Sequence, residues 1–535
     1  MRNITFLHIF KSSSAIHKYI YGLFFVCGLF SFVVSSCKKT KVSQVQKQNT
    51  VTIKLIQVND VYEIAPLGGG KYGGMARVAH ISDSIKRQFP NSYLVMAGDF
   101  LNPSLLGTLK VDGQRVKGRQ MIEVMNAMDF DLATFGNHEF DIKEKELQQR
   151  LNESDFNWVS ANVFQKSGES LDVFHSIKKG DSIAIPETLY YDVGARDPMY
   201  SSYSTSKVRI GFFGVTIDSN PKDFVYYSDY LLESKAAVNT LKMAGSDIIV
   251  GLTHLKLAQD IQVAEASPSI DFIMGGHEHN NMLVPTSGAT VAKADANAKS
   301  VYVHTLVYDL VLKTSVISSE LVLITDKLPS LPRVQKVVSK WDAILEQEIK
   351  TVVDNPNEVI YKAEDFLDGT DTPTRSTQTN LGVLIAQAMK ESFNTPVDGA
   401  LVNGGSFRLD DVLQGDIVSL DIFRVLPFGG GVLKVALTGA LLLEVLEFGL
   451  AKAGTGAYLQ RYGFDQKMGV WYINNEAVDT SQTYNIAFSD YLLKGYDIPF
   501  LTPEYPGIIN IYSPTESEPA YDIRRAVITF LKSQN

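Results

Sequence analysis

Five short apolar runs recur along the first half of the chain, and each ends in polar residues of a restricted kind. Val51–Val58 runs into Asn59-Asp60, Tyr93–Ala97 into Gly98-Asp99, and Phe130–Phe135 into Gly136-Asn137-His138. Ile248–Leu252 runs into Thr253-His254, and Phe272–Met274 into Gly275-Gly276-His277-Glu278-His279. Short continuous runs of this kind predict buried strands. Between some of them, Ala76–Gln88 and Met121–Met128 carry helical spacing, so this part reads as α/β layering. Further on, Val334, Val337, Val338, Trp341, Ile344 and Leu345 make one apolar stripe, which predicts a helix over 331–353. That helix stands between the strand-end motifs and a second, turn-rich set, and is expected to join two domains.

The first 37 residues follow a different pattern. Arg2, Lys11 and Lys18 precede a continuous apolar run over 19–34, and the small Ser35 and Ser36 precede Cys37. A basic start, a short apolar core and small residues before a cleavage point read as a secretory signal. Val34-Ser35-Ser36-Cys37 resembles a bacterial lipobox, which implies a leader over 1–36 and lipid attachment at Cys37. The alternative is an uncleaved anchor helix, for which the run is barely long enough. Residues 38–50 are polar and basic, as a short tether would be. The protein is expected to be exported and lipid-anchored at the cell envelope, facing the periplasm or the cell surface.

Composition narrows the remainder. The 535 residues are 45% hydrophobic and 20% charged, ordinary for a globular protein, which excludes disorder and collagen-like repeats. Both cysteines, Cys27 and Cys37, lie near the N-terminus, so packing rather than a disulfide must stabilise the body. A net charge of −9 argues against a nucleic-acid polymer as partner. It does not exclude a small phosphate ligand, because local arginines or metal ions can override the global sign.

The strand ends carry the candidate chemistry. In open α/β sheets, ligands bind beyond the carboxyl ends of the strands. One Asp at such an end would be a cap or turn residue. Here four of the nine histidines, His138, His254, His277 and His279, fall at these ends together with two aspartates and two asparagines. His80, His175 and His304 lack that context and read as structural. Oxygen ligands mixed with imidazoles suit Zn²⁺, Mn²⁺ or Fe²⁺ better than Ca²⁺. Two such ions sharing a carboxylate suit hydrolysis at phosphorus. Gly68-Gly69-Gly70 and Gly73-Gly74 do not match a Walker-type loop and are expected to form a turn beside the site.

The ordered motifs, with GGMARVAHI, GRQMIEVMNAMDFDLATFGNHEFD and SANVF, resemble the bacterial 5′-nucleotidase and UDP-sugar hydrolase family of calcineurin-like metallophosphatases. The resemblance covers nearly the whole chain after residue 50. It implies a layered α/β metallophosphatase sandwich over 51–330, the joining helix over 331–353, and a C-terminal α/β nucleotide-binding domain over 354–535. It implies two divalent metal ions bridged by Asp99. Asp60 and His279 would hold one ion, and Asn137, His254 and His277 the other. His138 with Asp141 would be a dyad stabilising charge on the transferring phosphoryl group. One position departs: the family's usual histidine two residues after the first Asp is Tyr62 here. Its phenol either packs and hydrogen-bonds or, as phenolate, ligates a metal.

The C-terminal motifs complete the expectation. Arg375, Arg408, Phe428 and Tyr491 lie in turn-rich segments, and two arginines with two aromatics suit a nucleotide. By the same resemblance, Arg375 and Arg408 would hold phosphate, and Phe428 and Tyr491 would sandwich the base. Asn403 would touch the base edge, and Asp497 would bind the ribose hydroxyls. Asn-Gly-Gly-Ser-Phe-Arg and Gly-Tyr-Asp replace the family's usual Asn-Gly-Gly-Gly-Ile-Arg and Gly-Gly-Asp. The implied activity is hydrolysis of nucleoside 5′-monophosphates for scavenging. UDP-sugar hydrolysis and 2′,3′-cyclic phosphodiesterase with 3′-nucleotidase activity are alternatives on the same scaffold. A nucleotide-binding lipoprotein without activity is the alternative of a different class.

Overall fold

The computed structural model describes residues 49–196 and 203–534. The leader and Cys37 lie outside the described residues. The first half builds a sandwich of two six-stranded sheets. In one sheet β1 (Thr50–Val58), β2 (Ser92–Ala97) and β3 (Leu132–Thr134) run parallel. In the other, the strand Tyr203–Thr216 runs parallel to β4 (Ile248–His254) and β5 (Phe272–Gly275).

The period-2 alternation of β1 explains the layering. Val51, Ile53 and Leu55 face Ile210, Phe212, Val250 and Phe272 of the opposite sheet. Ile56 and Val58 face outward onto helices that include Met75–Gln88 and Arg119–Ala127. The outer face of the second sheet is covered by the helices Tyr230–Met243 and Leu257–Ala266. Each strand is apolar on both faces because each sheet is covered on both sides.

The striped helix forms as α1 (Pro332–Ile349). It ends four residues short of the expected boundary, and Val352 and Val353 close it with turn hydrogen bonds to Ile349. It does more than link. Its apolar stripe packs on Met75–Gln88 and Arg119–Ala127, and the buried Trp341 donates its indole N–H to Glu123 at 3.0 Å.

Beyond it, a five-stranded sheet takes the order Leu459–Tyr462, Gly399–Asn403, Thr483–Ser489, Val432–Thr438, Ile508–Tyr512. The helices Asn380–Glu391 and Gly439–Ala451 pack against it. This half is pinned to the sandwich by Lys299–Asp411 and Lys71–Asp416, both at 2.6 Å. The Gly68–Gly70 segment does form a tight turn, with all three glycines at positive φ. Lys71 of this turn pairs with Asp416 of the second half, while Gly73, also at positive φ, packs against Asn297, whose N–H donates to the Asp60 carbonyl at 2.8 Å.

Trp341→Ala should cost about 3–5 kcal/mol, as for other large-to-small changes at fully packed sites. The denaturant midpoint should fall at unchanged slope. A loss under about 1 kcal/mol would show that the helix contributes little to the core.

Candidate metal centre and substrate cleft

Asp60 and Asp99 stand just past the ends of β1 and β2, both buried and both with left-handed backbone, φ 53° and 56°. Asp tolerates this region better than most residues, and strain of this kind collects where geometry is functional. The turn directs both carboxylates into the space above the sandwich, where the ends of β4 and β5 also arrive. Ligand atoms of Asp60, Asp99 and His254 lie within 4.8 Å of one another.

Each group is oriented by the backbone around it. Asn59 donates to Asp60 Oδ2 at 2.7 Å, and the His277 N–H donates to the same oxygen at 3.0 Å. The His138 N–H donates to Asp99 Oδ1 at 2.7 Å. His254 gives its Nδ1 proton to the Ala97 carbonyl at 2.8 Å, which turns Nε2 toward the carboxylates. That Nε2 stands 2.9 Å from Asp99 Oδ2. His279 Nε2 is 3.5 Å from Asp60 Oδ1. Glycines permit the close approach: a Cβ on Gly136 would sit 2.0 Å from Asp99 Oδ1.

Two buried atoms test whether a cation fits. His254 Nε2 and Asn137 Oδ1 both lack a hydrogen-bond partner although buried. Buried polar atoms are normally satisfied. Two unsatisfied ligand-type atoms beside two buried carboxylates are what a metal site requires. The electrostatics agree. Burial alone would lower His254, yet the charges of Asp99 and Asp60 carry it up to about 9. The negative potential that holds a proton there would equally hold a divalent cation, with the imidazole then neutral. His277 is pushed down to about 4 by burial and by His254 beside it.

His138 lies at the rim of this cluster. Its Nδ1 meets Asp141 Oδ2 at 2.8 Å. Burial opposes its charge, but Asp99 and the hydrogen bonds to Asp141 and Asp410 hold it well above its ordinary value. Asn102 and Asn220 also donate to Asp141, at 3.1 and 2.9 Å, fixing that carboxylate behind the ring. Tyr62 is buried, with its hydroxyl 3.1 Å from His279 Nε2. Burial and the Asp99, Asp410 and Asp60 carboxylates push its phenol well above its usual range.

The C-terminal residues converge on one cavity of about 530 Å³ that Asp141, Asn220 and Lys222 enter from the sandwich side. Arg375, Asn403, Arg408, Phe428, Tyr491 and Asp497 all line it. Arg375 Nε and Arg408 Nε are buried without partners. Phe428 and Tyr491 are exposed rings, 57% and 37%, in a chain whose other aromatics are mostly covered. Asn403 donates to Asp497 Oδ2 at 2.7 Å, and the Tyr491 hydroxyl reaches Asp497 Oδ1 at 3.4 Å.

Several functional supports escaped the sequence reading. Glu139 accepts four backbone N–H groups, from Asp99, Phe100, Leu101 and Gly136, at 2.6–3.0 Å. It ties the loops after β2 and β3 together, and burial beside Asp99 pushes it up to about 7. Lys293 is fully buried, donates to the Leu255 and Gly276 carbonyls at 2.7 Å, and pairs with Asp260 and Glu278, holding the loops after β4 and β5. Asn220, Lys222 and Asp410 are the others. Glu139 had a signal in its position directly after His138; the rest meet the site only through the fold. His304 is structural: Gln57 and Ser319 occupy both ring nitrogens, and burial pushes it down to about 3.

The fold and the site define a metal-dependent phosphoesterase. A family model for calcineurin-like phosphoesterases matches residues 53–281, and a model for the 5′-nucleotidase C-terminal domain matches residues 359–502. The chain thus carries a calcineurin-like metallophosphatase domain followed by a 5′-nucleotidase C-terminal domain. It is 26% identical over 426 residues to a 5′-nucleotidase of Homo sapiens, across 72% of this chain and 68% of that protein. It is 24% identical over 532 residues to protein UshA of Escherichia coli (strain K12), across 87% and 89%. The crystal structure of a 5′-nucleotidase precursor from Thermus thermophilus superposes with a TM-score of 0.61 at 22% identity, covering 90% of this chain and 96% of that one.

Gly136→Ala should weaken metal binding about 10–100-fold, the range seen when groups behind a ligand are disturbed. The added methyl needs the space of the Asp99 carboxylate. Metal content after dialysis reads the loss, and retained wild-type content would show that Asp99 is not held for a metal.

Proposed function

We propose that this protein hydrolyses nucleoside 5′-monophosphates to nucleoside and phosphate with two divalent cations, Zn, Mn or Fe. The observation that carries this reading is the single cleft. On the sandwich side it is lined by Asp141, whose carboxylate meets His138 Nδ1. Its outer end offers two exposed aromatic rings and two unpartnered guanidinium nitrogens.

In this reading Asp99 is shared by both ions. Asp60 and His279 bind one, and Asn137, His254 and His277 the other. Such a pair supplies a nucleophile at neutral pH by lowering the pKa of water and neutralises charge on the phosphoryl oxygens. His138 presents Nε2 toward the phosphoryl group and keeps its proton because Asp141 stands behind it. Asp141 stays ionised: against its burial, the His138 hydrogen bond and charge hold it well below the usual carboxylate range. Arg375 and Arg408 grip phosphate oxygens. Phe428 and Tyr491 stack the base, which every base can accept. Asn403 meets the base edge. Asp497, held by Asn403 and Tyr491, accepts the ribose hydroxyls. Binding energy collected at the base thus positions phosphorus at a centre on the other half of the chain.

The proposal extends to the N-terminus. The leader over 1–36 is removed, Cys37 is lipidated, and residues 38–50 tether the catalytic body at the cell envelope. The catalytic domain spans 51–330, the joining segment 331–353 and the nucleotide domain 354–535. Among the described residues, no helix is long and apolar enough to cross a membrane.

The test is kcat/KM on AMP, a UDP-sugar, a 2′,3′-cyclic nucleotide and p-nitrophenyl phosphate, each with several added metals. AMP should lead. Phe428→Ala should lower kcat/KM for AMP roughly 5- to 150-fold, the equivalent of one stacked base, and should spare p-nitrophenyl phosphate. Equal losses on both substrates would assign the second half a purely structural role. Cys37→Ala should abolish labelling by radioactive palmitate and release active protein from the membrane fraction. Continued membrane retention of the cleaved variant would refute the lipid anchor.

A further inference from the structure

The edge of the sandwich opposite the metal centre carries an exposed apolar turn, and the chain joins the fold beside it. β1 begins there: Thr50 pairs with Asp309, and the Leu310 N–H donates to the Asn49 carbonyl at 2.8 Å. The turn over 310–313 connects the antiparallel strands Ser300–Asp309 and Thr314–Leu323. Within it Val311 and Leu312 are 68% and 71% exposed. Val316 of the second strand is exposed as well, and so is Met243 at the end of the helix Tyr230–Met243. That helix end lies on the same edge, because Asp247 just beyond it accepts the Tyr308 hydroxyl at 2.9 Å.

We propose that this turn inserts Val311 and Leu312 into the surface of the lipid bilayer to which the chain is anchored, so that the body stands with its metal centre directed away from the membrane. The inference rests on the lipidation of Cys37 proposed above. Four observations carry it. The first is where the tether arrives. Only residues 38–48 separate Cys37 from Asn49, a length of chain that spans at most about 40 Å. The surface next to Asn49 is therefore the part of the body held closest to the lipid, at high effective concentration. The second is grouping. Single exposed apolar residues are ordinary on a protein surface. Here Val311, Leu312 and Met243 gather on one edge, beside the tether.

The third is the backbone. A segment that enters lipid must have its N–H groups satisfied within the protein. Asp309 Oδ1 accepts the Val311 and Leu312 N–H groups at 2.8 and 2.9 Å, and the Asp309 carbonyl accepts that of Lys313 at 2.9 Å. With Leu310 bonded to Asn49, all four turn residues are satisfied. The fourth is charge. The aspartates of this edge are engaged: Asp309 by the turn, Asp247 by Tyr308 and the Arg209 N–H, Asp271 by Ser315 and the Ile249 N–H. Lys242 and Lys313, both exposed, directly adjoin Met243 and Leu312 in the chain. Lysines beside inserted apolar side chains meet anionic headgroups favourably. The orientation also sets access to the site. β1 spans nine residues, about 30 Å of strand, and the carboxylate cluster stands past its far end, open to soluble substrate.

The experiment places an environment-sensitive fluorophore on one introduced cysteine of the full-length chain, isolated in lipidated form and reconstituted into phosphatidylethanolamine–phosphatidylglycerol vesicles. Cys27 leaves with the leader and the Cys37 sulfur carries the lipid, so each variant offers a single thiol. Thr314→Cys reports the turn, and Lys256→Cys, in the loop after β4 at the metal-bearing edge, is the control. A nitroxide-bearing lipid should quench the probe at position 314 and leave that at position 256 unquenched. Val311→Asp with Leu312→Asp should bring position 314 down to the level of position 256, with palmitate labelling and vesicle retention unchanged. Val311→Ser with Leu312→Ser replaces that pair if it folds poorly. Palmitate labelling without quenching at position 314 would overturn the turn as a membrane contact and leave the lipid anchor standing. Equal quenching at both positions would overturn the orientation. A dimeric mass in detergent that the Asp pair reduces to a monomer would assign this edge to a second copy of the chain instead. Absence of palmitate labelling would overturn the anchor and this inference with it.

Discussion

Holding two carboxylates in a water-poor space is the constraint on which the rest of this structure depends. An isolated buried carboxylate is costly, and it persists only with donors or cations around it. Asp60 and Asp99 therefore sit in a shell of directed groups. Asn59 and the His277 amide face Asp60, while the His138 amide faces Asp99. The left-handed backbone at both aspartates costs something locally, and it is what points the carboxylates at one another's neighbourhood. Glu139 adds a third buried carboxylate that keeps its place through four backbone N–H donors. On the other sheet, Lys293 does the corresponding work, bracing the loops that carry His254, His277 and His279.

The same constraint explains the layered fold. The loops after five strands carry the clustered carboxylates and imidazoles, and two mixed sheets with parallel central strands, packed face to face, bring the carboxyl ends of those strands to one edge. Both sheets are covered on their outer faces, α1 helping to cover the first. The loops can then be strained and polar, because rigid strands beneath them absorb the cost.

Side chains of both halves meet in the cleft. The sandwich supplies Asp141, Asn220 and Lys222, and the second half supplies arginines, exposed rings and Asp497. Ion pairs at Lys299–Asp411 and Lys71–Asp416 set how the halves meet. Asp410, next to one of those anchors, is positioned by the same contact.

Much of this was legible in the sequence, because it depends on local order. A continuous apolar run ending in Asp, Asn or His marks both a buried strand and the place where its side chains emerge, so the five strand ends were visible before any folding. Turn-rich segments with Arg and aromatic residues marked the cleft in the same way. Other features were not legible, since they arise from residues far apart in the chain. Asp410 meets Tyr62 across 348 positions, and Asp411 meets Lys299 across 112. Lys293 reads as an ordinary strand lysine until the Asp260 and Glu278 carboxylates close on it. The extent of α1 was misread because its end is set by turn hydrogen bonds rather than by its apolar stripe. Sequence by itself determined which side chains could serve a metal and a nucleotide, since that follows from residue type and strand-end position. Only the tertiary structure decided which oxygens and nitrogens share one space, because long-range approach and burial, not composition, set those distances.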